Sequence, residues 1–110
     1  MKKLILTTCL TLLLSVNAQA TYFNDGNKLL SDMDDTASTS KMYALGYVAG
    51  VVDSLNQVIF CMPSTVTVGQ VNDMIRNYLR NTPAERHLPA DVIISKAFGV
   101  AFPCKKGGGV

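Results

Sequence analysis

The sequence predicts an all-α fold: a small domain of about four helices around one long buried helix, stapled by one disulfide. Three observations carry this. Residues 41–61, KMYALGYVAGVVDSLNQVIFC, run for about six helical turns without proline and are apolar on most of their circumference. Two later stretches, 67–81 and 89–102, repeat apolar residues at three- and four-residue spacing. No segment has the strict alternation or the hairpin dipeptides of a sheet.

The first twenty residues read as a cleavable export signal. Lys2 and Lys3 are its basic start, 4–16 its apolar run, and Ala18, Gln19 and Ala20 its small-x-small cleavage site. Cys9 lies too early in the apolar run to serve as a lipid attachment site. The mature chain is expected to be 21–110, with one domain over 21–104. Of the ten Lys and Arg, two leave with the signal, so eight basic residues face eight acidic ones. A balanced chain gives no ground for nucleic acid or an anionic membrane as partner.

Cys9 also leaves, so Cys61 and Cys104 remain as a single pair. In an exported protein such a pair is expected to be bridged. The bridge would close a loop of about 43 residues, worth roughly 4 kcal/mol in the chain-entropy model. The competing reading is a catalytic thiol served by His87, the one histidine, and it requires a free cysteine.

Within 21–33 a short first helix is expected, capped by Asn24 or Asp25, with Leu29, Leu30 and Met33 turned inward. Residues 34–40, DDTASTS, read as a polar linker. Asp32, Asp34 and Asp35 lack the spacing and the late glutamate of a calcium loop. On the long helix, Leu45, Val48, Val52, Leu55 and Ile59 form one seam, widened by Ala44, Tyr47, Val51 and Val58. The opposite stripe holds Gly46, Gly50 and Asp53, with Ser54 and Gln57 beside them. Two helical glycines each cost about 1 kcal/mol relative to alanine, so a second backbone, from this chain or another copy, is expected against that stripe. Asp53, Asn56 and Gln57 argue against a membrane span.

Pro63, Ser64 and Thr65 turn the chain, and Thr67 with Gln70 is a capping-box pattern that opens the next helix. Val68, Val71, Met74, Ile75, Tyr78 and Leu79 share its inner side; Asp73, Arg76, Asn77 and Arg80 share its outer side. Thr82, Pro83 and Glu85 repeat the start signal, but Pro89 limits that element to one or two turns. Pro89 then opens a last helix, with Ile93, Ile94, Ala97, Phe98, Val100 and Ala101 facing the core and Pro103 stopping it. Residues 105–110, KKGGGV, have nothing to bury and are expected to be disordered.

The order of these pieces resembles a known family. GYVAGVVD (46–53), FCMP (60–63), VGQV (68–71), PAERHLPA (83–90) and AFPC (101–104) are together similar to the Rap/Tai immunity proteins, which protect bacteria from peptidoglycan amidases delivered by type VI secretion. The resemblance implies a periplasmic, mostly helical protein, often a homodimer. It would have no catalytic role and no cofactor, and would block the active-site cleft of a cognate cysteine amidase effector.

For contact with that effector the candidates are Pro63, Ser64 and Thr65 at the disulfide corner, Glu85, Arg86 and His87 in the second connection, and the pair Arg76 and Arg80. For a dimer interface they are Gly46, Gly50 and Asp53. No metal site is expected around a lone histidine. Two other readings stand beside this one: a periplasmic acid-stress chaperone, which would loosen at low pH and expose its apolar seam, and a small thiol enzyme.

Overall fold

The computed structural model describes residues 22–105. The expected leader, 1–20, and all of the expected tail except Lys105 lie outside them. Four α-helices and no strand form the described chain: α1 (Gly26–Asp34), α2 (Ser38–Leu55), α3 (Val68–Asn81) and α4 (Ala90–Ala101), with a 3-10 turn at Pro83–Glu85. The all-α expectation holds, and so does the cross-link, for Cys61 and Cys104 are disulfide-bonded.

Of the two candidate caps, Asp25 starts α1 by accepting from the Lys28 amide at 2.7 Å. The linker after α1 is shorter than expected. Asp35 Oδ1 accepts from the Ala37 amide at 3.1 Å, a local turn that lets helical geometry resume at Ser38.

The long helix departs from expectation at its far end. It stops at Leu55 rather than near Cys61, because Asn56 turns extended and Gln57 takes a left-handed φ of 67°. The Asn56 side chain accepts from the Met62 amide at 2.8 Å, and Gln57 N donates to Phe60 O at 2.6 Å. These contacts replace the helical bonds that 57–61 would have made. In consequence Val58 and Ile59, expected in the seam, lie on the outside of the turn, while Phe60 points inward and is fully buried.

Nor is α2 a helix buried all round. It touches each of the other three helices, yet only Ala44, Val48 and Val52 on it are buried, and Met42 and Tyr43 stand in solvent. The core is shared: Leu29, Leu30 and Met33 from α1, Val71, Ile75 and Leu79 from α3, Ala90, Ile93, Ile94 and Phe98 from α4, with Phe60 and Met62 from the connection. Phe60 and Phe98 meet with ring centroids 5.4 Å apart, tilted by 58°.

On α4 the buried seam runs through Ile93, Ile94 and Phe98. Val100, two residues past Phe98 and so on the far side of the helix, is 81% exposed, and Ala101 at the helix end is also exposed, contrary to expectation. Thr67 and Gln70 do form the capping box, at 3.2 and 2.8 Å. The second expected box does not form: Thr82 Oγ1 donates back to Tyr78 O, and Glu85 is engaged elsewhere.

Backbone bonds lock the start of the fold to the entry of α4. Gly26 N donates to Leu88 O, Asn27 N to Arg86 O, and Ala90 N to Asn24 O, all within 3.1 Å. Asn24, the one buried polar residue among those described, also donates from Nδ2 to the Tyr43 hydroxyl at 3.1 Å.

Candidate functional site

The concave surface of most interest lies at the disulfide corner. Ala49, Val52, Asp53 and Asn56 follow three- and four-residue spacing, so α2 presents them on one side. The connection through Met62, Pro63, Ser64 and Val66 crosses in front of them. The first turn of α3 closes the space with Val68 and Val71, leaving a cleft of about 260 Å³.

Its floor is Val52, Met62 and Val71, which are buried, whereas Asp53, Pro63 and Ser64 on the lip are exposed. Thr65 stands exposed on the same loop. The loop is anchored from behind: Asn56 holds the Met62 amide, and Cys61 N donates to Phe102 O at 2.8 Å beside the disulfide. Val68, half exposed rather than inward as its spacing suggested, lines this cleft.

Two sets of candidates chosen for different roles thus meet here. Asp53, chosen with the glycine stripe, shares the cleft with Pro63 and Ser64, chosen for partner contact. Gly46 and Gly50 continue from it along the exposed side of α2. A Cβ added at either glycine would meet nothing within 4 Å, so no described residue packs on Gly46 or Gly50. Among the described residues the same-chain backbone expected against the two glycines is therefore not found.

The other candidates are placed apart. Since α3 rises about 1.5 Å per residue over its 14 residues, Pro63 and Glu85 lie at opposite ends of a rod about 20 Å long. Glu85 is held inside the molecule's own network: the Tyr78 hydroxyl donates to its Oε2 at 2.9 Å and Lys96 Nζ pairs with its Oε1. The Lys96 donor, and then the Tyr78 hydroxyl, hold the Glu85 carboxyl below its usual range. Burial, with the neighbouring carboxylate, pushes Tyr78 up, and Lys96 is raised by Glu85 in return.

Arg86 is half-buried, and its carbonyl receives the Asn27 amide, which makes it architectural. His87 is exposed. Arg76 and Arg80 converge on Asp34 at the end of α1, at 3.6 and 2.8 Å, and Arg76 also donates to Met33 O at 3.4 Å. Both arginines thus join α3 to α1, while the Arg80 side chain stays half exposed.

Both cysteines that a thiol mechanism would need are joined to each other. Among the described residues no cluster of three or more His, Cys, Asp or Glu is placed to hold a metal ion. What this corner presents is an exposed loop, braced from behind, and the cleft beside it.

Compared with known families, residues 25–104 match the model described as Rap1a immunity proteins. The comparison with curated proteins gave no match.

Proposed function

The chain belongs to the Rap1a immunity protein family, as an immunity protein against a secreted effector, and from that premise we propose that it neutralises a peptidoglycan amidase delivered by type VI secretion. In this reading it works in the periplasm after loss of residues 1–20, and protects the cell from its own or a sibling's toxin. It binds the effector and does no chemistry of its own.

The family match over 25–104 carries the reading, because it spans all four helices and both cysteines. The geometry agrees with a binding role. Pro63, Ser64 and Thr65 are exposed, and they are braced by the Asn56 and Cys61 contacts and the disulfide. A braced loop loses little conformational entropy when it enters a groove, which favours affinity. Our mechanism has that loop fill the amidase cleft and keep the muropeptide from the catalytic cysteine. Glu85 and the arginine pair are structural in this mechanism. The dimer we propose forms across Gly46 and Gly50, whose open stripe admits a second backbone.

The deciding experiment directs candidate amidases to the periplasm of a test bacterium with and without this protein. Rescue, with the pair co-purifying, is the expected result. Lysis that continues against every candidate while the protein is folded and exported overturns the amidase reading.

A further inference from the structure

The cleft beside the loop has a chemistry that groove-plugging leaves unused. Its floor is apolar, and Asp53 is the one ionisable side chain in its lining. Among the described residues no lysine or arginine pairs with Asp53. The Oδ1 of Asn56 is already taken by the Met62 amide.

A cleft with an apolar floor, a polar lip and a carboxylate that no described cation pairs with complements a side chain with a methylene stem and a cationic tip. The stem leaves water along Val52, Met62 and Val71 while the charge stays at the solvated lip. An anionic group would meet like charge there. A wholly apolar group would cover Asp53 without pairing it, at a desolvation cost. A space of about 260 Å³ suits one long side chain and not a helix.

The geometry points to this cleft as the seat of a lysine or arginine side chain from the protein partner, fixed by Asp53. The inference rests on the immunity reading only in taking that partner to be the effector. Because Pro63 and Ser64 form one wall, the partner surface that receives the loop is also the one that offers the cation.

The test is a fragment titration of the purified protein followed by backbone-amide NMR. Butylguanidinium and butylammonium are the probes, with butyrate and butanol as controls at matched ionic strength. Saturable shifts at Asp53, Ser64 and Val68 are expected with both cations and not with butyrate. In Asp53→Asn the response at equal concentration should fall about threefold, the scale of one solvent-exposed charge contact. A second variant, Ser64→Arg, places a competing cation at the lip and should abolish the response; the spectra themselves report that both variants are folded.

Equal shifts with butanol, or an unchanged response in Asp53→Asn, overturn the cationic assignment. Absence of saturable shifts with either cation overturns the site. Sedimentation of wild type and Asp53→Asn adds one more outcome: a dimer lost in the variant would give the slot to a second copy and overturn the effector assignment. No effector enters these measurements, so a failed fragment test and a failed rescue are distinguishable.

Discussion

Gly26 is a residue whose hydrogen cannot become a methyl group. A Cβ there would lie 2.6 Å from Ile93 Cδ1 and 2.9 Å from both Cα and O of Arg86. The Arg86 backbone is pinned by the Asn27 amide and cannot retreat. Gly26→Ala should therefore cost about 1–3 kcal/mol, seen as a lower urea midpoint. Gln57 is the reverse case, a side chain in a left-handed conformation that glycine adopts without penalty. Gln57→Gly should stabilise by up to about 1 kcal/mol, measured in the same way; an unchanged or lower midpoint would mean that the Gln57 side chain supports the turn.

Glu85 sets a pH dependence with a definite sign. Its pKa is lowered in the fold, so its contribution is complete above the unfolded value of about 4.3 and is lost as pH falls through the lowered one. Lys96 is raised, so its share is complete below about 10.4 and is lost as pH rises through the raised value. Glu85→Gln should flatten both ends of a plot of Tm against pH. None of this pairing is visible in the sequence, where Glu85 reads as a helix-start residue and its true partners are 7 and 11 positions away.

Among the elements, α3 was the most legible, because a capping box, a clean apolar side and a charged side all agree on it. The end of α2 was the least, because Val58 and Ile59 continue the apolar period while Asn56 and Gln57 break the helix through contacts with Phe60 and Met62. Periodicity registers side chains and is blind to such a turn. The glycine stripe on α2 gives an element-level prediction. Gly46→Ala and Gly50→Ala meet open space, so each should raise the stability of the monomer by about 1 kcal/mol through helix propensity. If a second copy packs there, sedimentation should show weaker association in the same variants. The disulfide joins residues 43 apart, and losing it should cost about 4 kcal/mol. For a domain of this size that is a large share of total stability, so circular dichroism with and without reductant should show the reduced chain melting far lower.

For the whole molecule, the fold class was readable because helical spacing is local, and the cross-link because setting Cys9 aside with the expected leader leaves one cysteine pair. The candidate surface was only half readable. Pro63 and Ser64 announce a turn, but their meeting with Asp53 depends on how α2 and α3 cross, which one sequence does not encode in any spacing. The contacts of Arg76 and Arg80 with Asp34 were hidden for the same reason, since Asp34 is more than forty positions away. A variant with both arginines changed to alanine should lose stability and yet bind a cognate effector with little change once folded. Replacing Ser64 and Thr65 with arginine should do the opposite, leaving the melt intact and abolishing binding and rescue.

The two attachments of α4 also govern when this protein can fold. At its start the Ala90 amide is held by Asn24, and at its end Phe102 and Cys104 are held by Cys61. Both ends of α4 are thus tied to segments far earlier in the sequence, through contacts that form only when long loops close. Closing those long loops, more than forming any single helix, is expected to set the pace at which the domain folds.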